Sequence, residues 1–393
     1  MHRSHALRRT WLAFLGLGVA AAIMLAEVDL RIQPTSAAEQ FGASGADLRS
    51  PPRVLDDDVL RPDPMLGWVL APDLRRNVDG LVVRTNSRGL RADREYAARP
   101  DPHVARIAAF GDELTQCTEA TQDACWVARL EQVWQGTETL NFGVAGYGLD
   151  QSWLRYQRDG RALAPCGVLI GHAVGALDRV TNRFGATVAP DTGIALAKPR
   201  FLLNGERLAL LPLPGEDMVL SGDTVVQGPT LDGLPLKAVR DETTADWLPL
   251  LGAARIPIAD ESEAATPLVR RAERAYGEDD ESFALARRIL LELTRRVRAD
   301  GASPVVMMLP SRSQVLDRPI ARRPHAALID RLAEDGVATL DLTDVLAREA
   351  RAKGADLIFE GEQYSALGNT TIARYLAYTL PPLLASTCPG APR

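Results

Sequence analysis

Arg106-Ile-Ala-Ala-Phe110, followed at once by Gly111-Asp112-Glu113-Leu114-Thr115, is the stretch on which the fold turns. A short apolar run closed by a glycine reads as a buried strand, and the polar residues after it read as a loop at the strand's C-terminal end. Moving outward, Trp126, Leu130 and Val133/Trp134 recur at helical spacing, and Thr139-Leu-Asn-Phe142 is a second strand. Residues 150–160 form a second helix and Gly167-Val-Leu-Ile-Gly171 a third strand. Leu285, Ile289, Leu293 and Val297 mark a long helix, with Ser282 as N-cap behind Glu278, Asp279 and Asp280. Pro304-Val-Val-Met-Met-Leu309 is a fourth strand, a helix follows near 323–334, and Val337-Ala-Thr-Leu-Asp341 is a fifth strand. Leu367, Ile372 and Leu376 place a closing helix. Strands alternating with helices predict an α/β fold: three layers, with a doubly wound, five-stranded parallel sheet buried on both faces.

One interval breaks the rhythm. About 110 residues separate the third strand from the long helix, far beyond the few residues usual for such a connection. We read 185–280 as an insertion beside the crevice at the strand C-termini, with a hairpin over 200–210 turning at Asn204-Gly205. Residues 33–100, rich in Pro, Arg and Asp, form an N-terminal extension, and 101–385 the main domain.

The chain has 393 residues, 46% hydrophobic and 24% charged, enough to bury a sizeable core. Its net charge of −6 leaves no basic surplus to displace counterions from phosphates, so no nucleic-acid partner is expected. Arg3, Arg8 and Arg9 precede an uncharged run from Thr10 to Ala26, and Glu27 and Asp29 follow it. That asymmetry makes 1–32 a signal anchor or a signal peptide with the remainder outside the cytoplasm. Ser36-Ala37-Ala38 would fit a cleavage site but lies beyond the charged segment. The expected place is the cell envelope, anchored in the inner membrane through the N-terminal helix, or, if cleaved, secreted or periplasmic. Export makes the even cysteine count informative: Cys117 and Cys125 would close a local loop, and Cys166 and Cys388 either pair or remain free thiols. No Cys/His spacing suits zinc, and no metal or cofactor is assigned.

In order along the chain, four blocks resemble those of the SGNH/GDSL hydrolases. Gly111-Asp112-Glu113-Leu114 looks like the GDS(L) block, and Asn141-Phe-Gly-Val-Ala-Gly146 like the block whose glycine lends an N–H to the oxyanion hole. Gly171-His-Ala-Val-Gly-Ala-Leu-Asp-Arg179 stands where the third block carries an Asn. Glu360-Gly-Glu-Gln363-Tyr-Ser-Ala-Leu-Gly368-Asn369 looks like the final Asp-x-x-His block and its tail. Leu66-Gly-Trp68 and Thr85-Asn-Ser-Arg-Gly-Leu90 resemble the extension of membrane-anchored members. The resemblance implies an SGNH-hydrolase-like, flavodoxin-like sheet and an esterase ancestry.

Carried over residue by residue, the esterase chemistry is missing. Glu113 takes the nucleophile's place, Ala176 that of the oxyanion Asn, and Glu360 and Gln363 those of Asp and His; only Gly146 is kept. A Gln amide cannot accept and return a proton near neutral pH. Glu113, ionised with an ordinary pKa of about 4.3, would repel a developing oxyanion. The loss of such groups costs roughly 10⁴- to 10⁶-fold in rate. The reading is an inactive pseudoenzyme whose crevice, around Asp112, Glu113, Gly146, His172 and Gln363, binds an envelope polysaccharide, an acylated small molecule or a protein partner. Two other uses of these residues define the alternative, an active hydrolase or acyltransferase with rearranged groups. A relocated Ser311–His172 pair is one, with Ser313 and His325 nearby. Convergence of Asp112, Glu113, Glu360 and Glu362 for acid/base work or Ca²⁺ is the other.

Overall fold

The computed structural model describes residues 59–78, 80–182, 197–211, 213, 220–221, 224–225, 274–316 and 323–389. The segment expected to anchor or export the chain, the start of the extension and most of the insertion lie outside these residues. Among the described residues no helix is long and apolar enough to cross a membrane. The chain divides into two compact units. In the first, Met1–Pro52 with Glu216–Pro229, the described residues are the antiparallel pair Leu220–Ser221 and Thr224–Val225. All other described residues belong to the second.

The second unit begins with two antiparallel ribbons, β1 (Leu60–Asp63) with β2 (Gly67–Leu70) and β3 (Arg75–Val78) with β4 (Leu81–Arg84). Then come β5 (Ala105–Phe110), α1 (Glu113–Gln116), α2 (Trp126–Val133), β6 (Thr137–Asn141), α3 (Leu149–Arg155) and β7 (Gly167–Ala173). The expected hairpin is present as β8 (Arg200–Asn204) and β9 (Arg207–Leu211), with Gly205 left-handed at φ 59° in its turn. The chain continues with α4 (Glu281–Ala299), β10 (Ser303–Leu309), α5 (Arg312–Leu316), α6 (Ala326–Glu334), β11 (Thr339–Asp341), α7 (Thr343–Lys353) and α8 (Ala355–Ile358). A two-residue hairpin, β12 (Phe359–Glu360) and β13 (Gln363–Tyr364), precedes the final helix α9 (Ala366–Leu384).

The central sheet has five strands in the order β11-β10-β7-β5-β6, every pair parallel. Counted along the chain this is the order 2-1-3-4-5 of a doubly wound sheet. Its three inner strands are buried on both faces, while the edge strand β11 is only half-buried, and alternate residues feed two cores. Ala108, Phe110, Val168, Ile170, Val306 and Met308 face one core, with Leu154 of α3, Leu285 and Ile289 of α4 and Leu328 of α6. Ile107, Ala109, Leu169, Val305 and Met307 face the other, with Trp126 of α2, Leu346 of α7 and Ile372 and Leu376 of α9. The α/β expectation therefore holds in class, strand number and parallel pairing. The cap of the long helix does not: Asp280, not Ser282, is the N-cap of α4, its carboxylate accepting the Ser282 N–H at 2.7 Å. Asp280 keeps the extended backbone a cap requires, whereas Ser282 is already inside the first turn.

Two attachments matter for the site. The extension packs onto the segment after β6: the Trp68 indole donates to Ala145 O at 3.0 Å, the Tyr147 hydroxyl donates to Trp68 O at 2.6 Å, and Gln151 donates to Leu66 O at 2.8 Å. The start of the insertion packs against α3, where Lys198 pairs with Asp150, both fully buried, and Phe201 stacks on Trp153 at 4.7 Å. Both disulfides form, Cys117–Cys125 and Cys166–Cys388, and the second closes a span of 222 residues.

Candidate functional site

In this sheet order the chain leaves β5 toward one edge and returns to β7 on the other side, so a crevice opens at their C-terminal ends. Block one lies there because Asp112 starts α1 as its N-cap, Oδ1 accepting the Leu114 N–H at 3.1 Å, which sets Glu113 at the mouth. Block two lies beside it. A Cβ on Gly143 would stand 2.3 Å from Gln116 N, so only glycine allows the two blocks to touch. Gly146, left-handed at φ 77°, aims its N–H into the crevice.

The occupant of that N–H is Glu113 itself. Its Oε2 accepts from Gly146 N at 2.9 Å, the contact an oxyanion would make in a working member of the resembling family. Arg179, from the turn of 3₁₀ helix after β7, grips the same carboxylate with both ends of its guanidinium. Nη1 donates to Oε2 at 3.0 Å and Nη2 to Oε1 at 2.7 Å. Nη1 also reaches Asp112 Oδ2 at 3.2 Å and Tyr147 O at 3.3 Å. Two carboxylates thus share one guanidinium. Burial, with Glu113 alongside, pushes Asp112 up to about 8, so it carries its proton at neutral pH. Burial acts against the Glu113 anion too, but the Arg179 guanidinium and the Gly146 N–H outweigh it and hold this carboxyl below its ordinary range. Protonated Asp112, ionised Glu113 and Arg179 form a neutral, closed set.

The other residues of the sequence reading are placed as follows. Ala176 is buried in the 3₁₀ turn and offers no polar side chain. Gln363 bonds Thr118, its Nε2 donating to Oγ1 at 2.7 Å, rather than Glu113. Glu360 is exposed on β12 opposite Gln363. Glu362 accepts from Ser311 Oγ at 2.7 Å and from Ser313 Oγ and N at 2.8 and 3.1 Å. The four acids therefore do not converge. Asp112 and Glu113 are claimed by Arg179 and Glu362 by the serines, and among the described residues no His/Cys/Asp/Glu group could hold a metal. The Ser311–His172 pair is not made either: Ser311 is bonded to Glu362 and Ser313, while His172 Nε2 meets the Tyr276 hydroxyl at 2.8 Å. Burial, aided by His325 and Arg179, pushes His172 down to about 3, a poor base at neutral pH. His325 is taken by Asp341, Nε2 to Oδ2 at 3.0 Å.

Arg179 is the residue the sequence reading did not single out, though it closes the third block. The available signal was electrostatic: an ionised Glu113 in a buried crevice demands a cation, and Arg179 lies within that block.

Five parallel strands in this order, with helices on both faces, make an SGNH/GDSL-hydrolase-like fold. Among solved structures the chain is similar to a member of the lipolytic G-D-S-L family from Veillonella parvula (10% identity, 70% of this chain and 97% of that chain, TM-score 0.35). It is also similar to an acetylxylan esterase from Geobacillus stearothermophilus (11% identity, 70% and 95%, TM-score 0.38). Likeness at this level carries nothing about chemistry. No protein-family model matches the chain, and no curated protein sequence does.

Proposed function

We propose that this protein is a non-catalytic member of the SGNH-like fold that acts by binding, outside the cytoplasm, an envelope carbohydrate, an acylated ligand or a partner. The observation that carries the proposal is the Glu113 Oε2 contact to the Gly146 N–H at 2.9 Å, with Arg179 clamping the same carboxylate. A substrate carbonyl would have to displace a bidentate, charge-assisted pair to reach the one oxyanion donor kept from the family pattern. Among the described residues no serine or cysteine side chain is hydrogen-bonded to His172 or His325, which meet Tyr276 and Asp341 instead. Two disulfides fit an oxidising compartment.

The test is turnover of aryl acetates by the purified protein, beside Glu113→Ala and Ser311→Ala variants. Background rates in all three support the binding role. Turnover in the wild type that either substitution abolishes overturns it and leaves the rearranged hydrolase. A periplasm-sensitive reporter fused after Arg393 tests the compartment, and activity on the cytoplasmic side refutes export.

A further inference from the structure

Tyr276 lies at the end of the insertion, just before the Asp280 cap of α4, and its ring is set between two histidines. Its centroid is 6.3 Å from that of His172, at the end of β7, and 6.3 Å from that of His325, at the start of α6. All three side chains are buried. The Tyr276 hydroxyl meets His172 Nε2 at 2.8 Å, while His325 Nε2 meets Asp341 at the end of β11. Residues 274–280 close on themselves as a turn, Gly277 N donating to Arg274 O and Asp280 N to Gly277 O, both at 2.9 Å. One ion pair also ties this turn to α6, Glu278 with Arg331 at 2.8 Å, but both partners are exposed and such pairs contribute little. Tyr276, with the buried Ala275 beside it, is therefore the main hold on the turn.

That hold depends on a neutral imidazole. Burial, with His325 and Arg179 alongside, pushes His172 down to about 3. Burial, with the charges of Asp178 and Asp341, raises Tyr276 well above its ordinary value, so it stays a phenol. A neutral ring and a phenol share one proton across the 2.8 Å contact. A second proton on His172 would force the Tyr276 hydroxyl to point its own proton elsewhere. It would also bury a cation with Arg179 nearby and no described carboxylate bonded to it. Asp341 cannot compensate, because it already accepts from His325, Thr343 and Arg323. On the neighbouring strand β10 the residue in register with His172 is Met308, which is uncharged.

We propose that His172 and Tyr276 form an acid-sensitive latch: a proton taken up by His172 unseats Tyr276 and releases the turn at 274–280 from the end of β7. Once released and hydrated, His172 regains an ordinary pKa of about 6.5. The closed state has the lower value, so it is fully favoured above about 6.5 and loses ground as pH falls from there toward 3. Between pH 7.5 and 5 the ratio of open to closed turn rises about thirtyfold. The latch is independent of what the crevice binds.

Hydrogen exchange of the full, oxidised chain, corrected for the intrinsic rate at each pH, reads that ratio peptide by peptide. Peptides covering 274–282 show the thirtyfold rise between pH 7.5 and 5, while those covering β5 do not change. His172→Gln, whose amide can still meet the Tyr276 hydroxyl but does not titrate, loses the response. His325→Gln keeps it. Tyr276→Phe raises opening of the same peptides about fivefold at pH 7.5, the loss of one buried hydrogen bond. A wild-type rise below about threefold, or an equal rise in β5, overturns the latch. So does a response that survives in His172→Gln or vanishes in His325→Gln, or a Tyr276→Phe chain no more open than the wild type. Should His172→Gln not fold, the other two variants and the wild-type comparison decide.

Discussion

Glu113→Ala tests the closed crevice most directly. The substitution removes two contacts to Arg179 and one to the Gly146 N–H, and leaves a guanidinium only 9% exposed without its main partner. Breaking a buried ion pair from one side costs about 3–5 kcal/mol. Two features of the site reduce that. Glu113 keeps 19% of its surface in solvent, so part of its charge is already screened. Asp112, 3.2 Å from the same guanidinium, loses its repulsive neighbour and can ionise in place of Glu113. A net loss of about 2 kcal/mol is expected, or roughly 4–8 °C in melting temperature for a domain of this size. The assay is urea denaturation of both proteins under oxidising conditions at pH 7. It is repeated with acetate, whose carboxylate can enter the vacated space. If acetate binds there at about 10 mM, then about 100 mM returns roughly 1.4 kcal/mol. A loss below about 0.5 kcal/mol, or a response to acetate no larger than that to chloride at equal ionic strength, would refute the clamp.

Four further outcomes are expected. Asp112 has a folded pKa raised above its unfolded value, so it opposes folding increasingly as pH rises from about 4 toward 8. Asp112→Asn, which keeps the cap oxygen, should match the wild type near pH 4 and be more stable at pH 9; equal pH profiles would contradict the raised pKa. Glu113 is shifted the other way, so its contribution is full above its unfolded pKa of about 4.3 and is lost as pH falls through the lower folded value. Acid titration of Glu113→Gln should therefore lack that step. Trp68→Ala should cost about 3–5 kcal/mol, because the indole is fully buried and bonded to Ala145 O. A change under about 1 kcal/mol would mean the extension does not share the core of the sheet. Cys388→Ser should cost about 2–4 kcal/mol in non-reducing urea melts and expose the end of α9 to carboxypeptidase. Unchanged melting would show that the 222-residue closure contributes nothing.

Much of the fold was legible because parallel strands buried on both faces leave uninterrupted apolar runs, such as Ile107–Phe110 and Val305–Leu309, between helices of clear period. The extension was harder to read. Leu66, Trp68 and Leu90 are core residues, yet Trp68 lies in a strand only four residues long, Leu66 in the turn before it and Leu90 in the segment after β4, so no period marks them. The site was half legible. The positions that lack Ser and His were visible in the blocks, and so was a lone Gly146. The convergence of acids read from the same blocks was wrong, because Glu362 turns to Ser311 and Ser313 on a two-residue hairpin whose direction no local pattern encodes.

The sequence by itself determined the class of the fold, the cysteines available for pairing and the residue types in the four blocks, Glu113 and Gln363 among them. These depend on residue identity and on periods of two and 3.6. Only the tertiary structure decided what Glu113 does. Its partners, Arg179 and the Gly146 N–H, arrive from different connections, and a buried carboxylate acquires its charge and its role from whatever the fold brings within about 3 Å of it.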